Sequence, residues 1–557
     1  MTDYKDFVLQ VEILNFVETM GDVRDLSTLR GGSRAALLAP KVVAKKFADR
    51  VSVNGAFEEL WTGASIGRFK ISVDPSRYRD HDIQALLEKR DWLFASLKTQ
   101  PEETSGEAET VEDFVNRILP HLTIGLAVEP DVSNQCWLTT RRALDRAIKG
   151  RQFKRPTVDP ALGGNAEKYC PYDGVRPCTS KVHTPKEKAD EASLSVAARR
   201  RYGQKLRQAF YEQELGRSVV PDRKFSDNFE EIAESTPKGI KLPLSVQGKI
   251  AVLYLDGNKF TATREKAIRE SNVPLATEKD FAENVKTAQR GLLRAVLKKV
   301  CALQPEGVIP FETLLWGGDE YMFVFPAWMA FPVLETLADA LRDEAWSEIA
   351  GGQKQPLTHA VGLAIAHYKT PIRQLTEIAR HIADEGKKAL GNQSANVIQM
   401  EIFESESATA GKSAITAHRK ELFKGVEEKD FTFLLGEAGE DKQGLPSLLD
   451  LADRVHALAA GESGKDEASP NGGEPIARSQ LYHLIRHLEQ EAQATKIDQE
   501  KLREALGLEG DLLWDQFEDR GGRRRVLISF AELWDYVPDY GPETSCDASP
   551  QSSSEES

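Results

Sequence analysis

What most limits the folds open to this chain is a pair of apolar runs near its middle, each broken by acidic residues at a glycine turn. The segment GKIAVLYLDGNKF (248–260) passes through six apolar or aromatic residues and stops at Asp256-Gly257, as a buried central strand entering a tight turn does. TLLWGGDEYMFVFP (313–326) reads as strand, two-glycine turn, strand, and places Asp319 63 residues after Asp256. Helical spacing follows each: FAENVKTAQRGLLRAVLKKVCAL (281–303) lies between the runs, and a second helix is expected around 330–347. A strand HAVGLAIAHY (359–368), a helix PIRQLTEIARHIADEGKKAL (371–390) and a closing strand ANVIQMEIF (395–403) complete the segment. The order β-α-β-β-α-β is the ferredoxin-like plan, so an α+β fold with helices on one face of an antiparallel sheet is expected here.

The rest of the chain frames this segment. A length of 557 residues exceeds one hydrophobic core and predicts about three or four units. Residues 1–150 read as a first α/β unit: a strand-like run FVLQVEILNFV (7–17), a turn-like RDLSTLRGGSR (24–34), a helix ALLAPKVVAKKFADRV (36–51), an exposed acidic loop (100–113) and a strand LTIGLAVEPD (122–131). Residues 151–245 are polar, with a long helical pattern over 186–214 and little strand signal, and read as a connector. The central unit takes 246–405. Apolar residues at helical spacing in 414–426, 444–461, 477–495 and 499–507 predict a helical C-terminal domain over 406–540, and 541–557 has the composition of a disordered tail.

Bulk composition excludes some classes. No window nears the roughly eighteen apolar residues that span a bilayer, and the N-terminus lacks a signal peptide's basic start and apolar core, so no membrane partner and a cytoplasmic location are expected. Five scattered cysteines do not make a disulfide framework. A formal charge of −14 argues against general duplex binding, which needs cations to displace counterions. Arg199-Arg200-Arg201 and Arg523-Arg524-Arg525 are either local RNA contacts or solvated faces.

The central unit carries the chemistry. Phosphoryl and nucleotidyl transfer depend on positioning and on neutralising charge at the transferred phosphate. Two carboxylates, one at a strand end and one at the adjoining hairpin, suit the clamping of divalent cations about 3.5–4 Å apart. Asp256, Asp319 and Glu320 hold those places and are the candidate catalytic residues and Mg2+ or Mn2+ ligands. Gly257, Asn258, Gly317 and Gly318 are candidate nucleotide contacts, the glycines because a side chain would block approach to phosphate. The other reading of Gly-Gly-Asp-Glu is an ordinary hairpin turn.

With these residues in place, IAVLYLDGNKF, WGGDEYMFVFP and GLAIAHYKTPIRQLTEIARHIADEGKK resemble the catalytic palm of the polymerase-like large subunit of type III CRISPR effector complexes, a relative of diguanylate cyclases and class III nucleotide cyclases. That family usually reads Gly-Gly-Asp-Asp, and diguanylate cyclases read Gly-Gly-Asp-Glu followed by Phe; here Glu320 is followed by Tyr321. AHYKTP (366–371) resembles the CRISPR family's strand-to-helix motif, and the Arg-x-x-Asp inhibitory signature of many diguanylate cyclases is missing upstream of the turn. RDLSTLRGGSRAALL (24–38) is similar to the family's first, non-catalytic palm, and YCPYDGVRPC (169–178) to the zinc-knuckle region between its palms.

The resemblance implies two ferredoxin-like palms and a synthase that joins ATP into cyclic oligoadenylate messengers in antiviral defence, with guide RNA and CRISPR effector subunits as partners. It implies metal ligation by Asp256 and Asp319, with Glu320 replacing the usual second Asp. Lys387 takes the place of a lysine that contacts triphosphate, or is a solvated helix lysine. Ser33 at Gly31-Gly32-Ser33 either presents backbone N–H groups to a phosphate or caps a helix. Cys170, Cys178 and His183 are candidate Zn2+ ligands, although the spacing is poorer than paired Cys-x-x-Cys and a degenerate knuckle held by packing is the alternative. His81-Asp82 is the one His-Asp doublet, and no histidine precedes it, so no metal-dependent nuclease of the family's type is expected. Two other functions remain open: a catalytically silent scaffold, against which the presence of both aspartates speaks, and a diguanylate cyclase using GTP.

Overall fold

Along β1 (Lys5–Leu14) the residues Phe7, Leu9, Val11 and Ile13 alternate with Val8, Gln10 and Glu12, and the pleat sends the two sets to opposite faces. The computed structural model describes residues 5–14, 21, 23, 25–63, 65–73, 78, 80–89, 91–94, 110–130, 137–152, 168–183, 189–346, 356–391, 394–404, 415, 419, 431–436, 445, 447–460 and 529–537. In it β1 is followed by α1 (Leu26–Val51), β2 (Ser52–Thr62), β3 (Ile66–Val73), α2 (Asp80–Lys89), α3 (Val111–Ile118), β4 (Thr123–Pro130) and α4 (Trp137–Gln152). The sheet runs β2-β3-β1-β4, antiparallel throughout. One face packs Phe7, Leu9, Val11 and Ile13 against Ala39, Val43 and Phe47 of α1 and Phe114 and Ile118 of α3. The other packs Val8 and Leu14 against Trp137, Leu144 and Ile148 of α4.

The segment between the sheets departs from the expected pattern. β5 (Ser180–His183) and β6 (Ala189–Ala192) form a two-stranded ladder, and α5 (Leu194–Lys205) and α6 (Arg207–Leu215) meet at Leu206, so the helical pattern expected over 186–214 is a strand and two helices. α1 also starts earlier than expected. Its first turn is capped by Asp25, whose carboxylate accepts from the Thr28 backbone N–H at 2.8 Å. Gly31, Gly32 and Ser33 therefore sit inside the helix, and Ser33 neither caps it nor heads it with free N–H groups. The glycine serves packing: a Cβ on Gly31 would run into the carbonyl oxygen of Arg199 on α5, and one on Gly203 into that of Ser27. Arg199 and Arg200 are buried at this crossing, not spread on a solvated or RNA-facing surface; Arg523-Arg524-Arg525 lie outside the described residues.

The second sheet is built from β7 (Lys249–Gly257), β8 (Glu312–Gly317), β9 (Glu320–Pro326), β10 (His359–His367), β11 (Val397–Ile402) and β12 (Phe433–Leu434), in the order β12-β11-β10-β7-β9-β8. Its strands β8-β9-β7-β10 repeat the β2-β3-β1-β4 order of the first sheet, and β11 adds to β10 in parallel. Leu253, Leu255, Phe323 and Phe325 face α9 (Pro274–Leu303) and α10 (Ala330–Arg342). Val252, Tyr254, Met322 and Val324 face α11 (Ile372–Leu390) and α7 (Phe229–Ala233). Helices thus cover both faces, not the one expected, because α11 is the crossover between parallel strands and lands on the far side. This burial on both faces is why β7 reads as an unbroken apolar run.

β12 lies beyond residue 405, so the sheet draws on chain after the expected boundary. Of the expected helical C-terminal domain, α12 (Leu448–Ala460) is described and packs on the main core, as do Phe530, Leu533 and Tyr536. The helices expected at 477–495 and 499–507 and the tail at 541–557 lie outside the described residues. Among the described residues, no helix is long and apolar enough to cross a membrane.

Two glycines test this packing by opposite outcomes. Gly31→Ala, which drives a methyl into the α5 backbone, is expected to lower the unfolding free energy by about 2 kcal/mol or more. Gly291→Ala in α9, where a Cβ meets nothing within 4 Å, is expected to raise it by about 0.5–1 kcal/mol. Urea unfolding of the two variants decides, and a Gly31→Ala protein as stable as wild type would refute the close crossing.

Candidate active site

The second sheet brings its acidic residues to one end. Asp256 closes β7 and stands opposite Glu320 at the start of β9, while the Gly257 N–H donates to the Asp319 carbonyl at 2.9 Å. The β8–β9 turn needs its glycines, since Gly317 has φ 131° and Gly318 φ 66°, values that side-chain-bearing residues seldom adopt. Gln289 of α9 donates to the Gly318 carbonyl and, at 2.8 Å, to the Tyr321 hydroxyl, so the turn is braced from beneath. A Cβ on Gly257 would meet the Phe260 ring and, at 2.8 Å, the Asp319 Cβ.

Lys387, near the end of α11, donates to Asp256 Oδ2 at 2.7 Å and to the Gly257 carbonyl at 2.8 Å. Its side chain is 34% exposed, yet its ammonium is paired and stands beside the candidate carboxylates. Glu320 Oε1 accepts from the Tyr254 hydroxyl at 2.9 Å. Asn258 is 8% exposed and donates to Thr358 Oγ1 at 3.1 Å and to the Ala395 carbonyl at 3.2 Å. It fastens the β7 turn to its neighbours rather than offering its amide N–H groups to a ligand. Lys259 follows in the left-handed region at φ 59°, at the head of α8 (Phe260–Glu270).

Burial pushes the Asp256 carboxyl up, to about 6; the Lys387 ammonium pulls it back, and the charges of Asp319 and Glu320 add to the rise. Asp319 is raised by burial and then by Glu320. Carboxylates that raise one another while one ammonium compensates them mark a site short of positive charge. Their oxygens are the donors a hard cation such as Mg2+ or Mn2+ takes, so the residues fit in kind. Among the described residues, no three His, Cys, Asp or Glu side chains converge as a preassembled metal cage.

A cavity of about 420 Å3 opens beside the turn. Gly317, Gly318, Asp319 and Glu320 line one side, and Arg68, Arg141 and Lys149 of the first unit the other, with Arg264 of α8 and Lys286 of α9 between them. Ser33 lines a separate, smaller cavity with Leu315, Met322 and Arg380. His367, in the AHYK segment, pairs with Lys249 and so lies at the opposite end of the sheet from Asp256.

The arginines of this cavity were not foreseen from the sequence. Arg264 had a local signal, since it comes eight residues after Asp256 on the following helix; Arg68 and Arg141 had none, being far away along the chain. His359 was also missed. It is buried against Phe260 and Trp346 at 5.2 and 4.7 Å between ring centres, and burial lowers its pKa to about 3, so it stands neutral at the Asp256 end of the sheet, paired with Gly257.

The knuckle-like segment supplies two thiols, Cys170 and Cys178. Backbone bonds from Cys170 N to the Arg176 carbonyl (2.8 Å) and from Cys178 N to the Lys168 carbonyl (3.0 Å) shape it. Asp173 accepts from the Val175 and Arg176 N–H groups and the Ser193 hydroxyl. The side chain of His183 lies outside the described residues. Burial and then Cys170 push the Cys178 thiol up. Among the described residues no three His, Cys, Asp or Glu side chains form a group that could hold a metal ion, and hydrogen bonds shape this turn.

Against known proteins, residues 249–396 match the family model described as Cas10/Cmr2, second palm domain, and this segment carries a Cas10-type palm. The structure of a Csm1–Csm4 cassette in complex with cA4 is 12% identical, with a TM-score of 0.48 over 96% of this chain and 70% of that one. The cassette in complex with cA3 gives 13% and 0.47 over 96% and 69%. Csm1 in T. onnurineus gives 13% and 0.43 over 95% and 70%. Likenesses this distant establish nothing about activity. No curated protein matches the sequence.

The raised Asp256 carboxyl has a consequence for stability. An acid moved from 3.8 in the unfolded chain to about 6 in the fold binds its proton more tightly when folded. Its favourable contribution is complete below about pH 4 and is lost as pH rises through 6. Asp256→Asn is expected to melt higher than wild type at pH 7.5 without added metal, by up to about 2 kcal/mol, and to match it near pH 4. Thermal melts across that range check this; a variant less stable at pH 7.5 would show that the Lys387 pair outweighs burial.

Proposed function

We propose that this chain is the palm subunit of a type III CRISPR effector and a nucleotidyl cyclase that joins ATP into cyclic oligoadenylates. In this reading residues 1–150 and 246–405 are two ferredoxin-like palms, the second catalytic, separated by the connector 151–245 and followed by the helical region 406–540. The Cas10/Cmr2 match over 249–396 supports it. The observation that carries it is the meeting of Asp256 with Asp319 and Glu320 at the ends of three hydrogen-bonded strands, beside a cavity of nucleotide dimensions.

Asp256 and Asp319, with Glu320 as the third carboxylate, would hold Mg2+ or Mn2+. When bound, the cation supplies Lewis acidity that activates the attacking hydroxyl and offsets charge on the transferred phosphate. The chain's own work is positioning. Gly317 and Gly318 keep Cβ atoms away from the phosphate path, Gln289 fixes the turn, and Tyr254 orients Glu320. Lys387, now on Asp256, has the reach and charge to pass to a phosphate oxygen once a cation occupies the carboxylates. That same ion pair is what favours the silent scaffold as the second reading, because it satisfies Asp256 without metal.

Purified protein incubated with ATP or GTP and Mg2+ or Mn2+, with and without co-purifying RNA and its target, is expected to yield cyclic adenylates by mass spectrometry. Asp319→Asn is expected to reduce them about 100-fold or more. Cyclic diguanylate from GTP would make the protein a diguanylate cyclase, and no product under any condition, with RNA-bound partners attached, would make it the scaffold.

A further inference from the structure

Three guanidiniums on the far wall of the cavity share one fully buried carboxylate. Arg68 is committed: Nε donates to Gln10 Oε1 at 2.7 Å, Nη1 to Glu278 Oε1 at 3.3 Å and Nη2 to Asp145 Oδ1 at 3.1 Å. Arg141 is not. Its approaches to Glu265 and Glu278 are 3.6 and 3.9 Å, and its buried Nη1 has no hydrogen-bond acceptor. The Arg264 guanidinium sits over the Trp61 ring, 5.0 Å from its centre, and its buried Nε has no acceptor either. Glu278 is 1% exposed, whereas Asp145 and Glu265 stand at the rim, 38% and 35% exposed. Water screens those rim charges, leaving the wall with more buried positive than buried negative charge. Burial and then Arg141 lower the pKa of Arg264 to about 10, as expected where cations crowd together.

Asp319 and Glu320 line the same cavity from the β8–β9 turn, while its first-unit wall carries Arg68, Arg141 and Lys149 with Glu12 and Asp145 among them; burial and then Asp145 push the Glu12 carboxyl up, which favours its neutral form and leaves the arginines the main charges of that wall. A ligand that satisfies both sides is an anion carrying its own divalent cation. Buried arginine donors without acceptors suit phosphate oxygens, which accept from the planar fork two at a time.

We propose that Arg264, with Arg141 beside it, grips the polyphosphate of a nucleoside triphosphate seated in this cavity, while Asp319 and Glu320 face its cation. The grip comes from α8 and from α4 of the first unit, so both units contribute to one nucleotide site. Trp61, whose ring the guanidinium covers, is a positioning residue for Arg264. This rests on the nucleotidyl-transfer reading of the same carboxylates.

The test is calorimetric titration of the full chain with Mg2+ and ATP or AMP, and competition by inorganic tripolyphosphate. Arg264→Gln is expected to weaken ATP about tenfold or more and to leave AMP within about twofold, so that preference for the triphosphate collapses. Arg264→Lys, which keeps charge but loses the fork, should fall between, and Arg141→Gln should act in the same direction. Tripolyphosphate should displace ATP from wild type and lose its hold on Arg264→Gln. Thermal melts confirm folding; if Arg264→Gln fails to fold, the Lys variant and wild-type tripolyphosphate competition decide. Equal ATP affinity in wild type and folded Arg264→Gln overturns this inference alone. A wild type that binds no ATP defeats the nucleotide reading beneath it.

Discussion

Glu278 is a wholly buried carboxylate on α9 of the second unit, and the relation of the two sheets depends on it. Arg68 of β3 donates to it, Arg141 of α4 lies near it, and the Trp137 indole N–H donates to its other oxygen. Breaking such a buried pair from one side strands a charge and costs about 3–5 kcal/mol. A second node stands at the far edge, where Arg30 of α1 is bonded to buried Glu312 of β8 and donates to the Ser226 carbonyl at 3.1 Å. Two nodes, each pairing an arginine of the first unit with a buried carboxylate of the second, fix the first sheet against the second, and the glycine crossing of α1 and α5 ties the first unit to the connector. The cavity beside the β8–β9 turn is the space that this arrangement leaves.

The same arrangement tunes the site. Asp256 and Glu320 are held in register across β7 and β9 and Asp319 is fixed in the turn between β8 and β9, so they cannot move apart to relieve their repulsion. Burial adds to the cost of charging Asp256 and Asp319, and Lys387 relieves only part of it. A sheet end with excess negative charge facing a wall with excess positive charge is poised for a ligand that carries both. The strain is local and electrostatic, and the surrounding cores absorb it: Leu253, Leu255, Phe323 and Phe325 pack on one side of the sheet, Val252 and Val324 on the other.

Much of this was legible in the sequence because it depends on short-range pattern. Six apolar residues ending at Asp256 and the Gly317-Gly318 pair between two apolar runs located both strand ends, since burial on two faces leaves a continuous apolar signature on either side of the turn. The resemblance to a type III CRISPR palm rested on those same residues, and the match over 249–396 agrees with it. Where local pattern misled, the reason was packing. Gly31-Gly32 resembled the opening of a helix but lies inside one, because a glycine needed for helix contact and a glycine needed for a turn look alike in sequence. Polar Arg199 and Arg200 resembled a surface patch but fill a buried crossing, and the partners of Arg200, Asp25 and Tyr172, are distant in the chain.

The sequence by itself therefore determined the strands, the acidic turn and the kind of chemistry their carboxylates suit, because each follows from residues within a few positions of one another. Only the tertiary structure decided what faces those carboxylates. Arg68, Arg141 and Arg264 reach one cavity from β3, α4 and α8, and Lys387 reaches Asp256 from 131 residues away. No local propensity encodes such meetings, which exist because two sheets are locked together through buried charge.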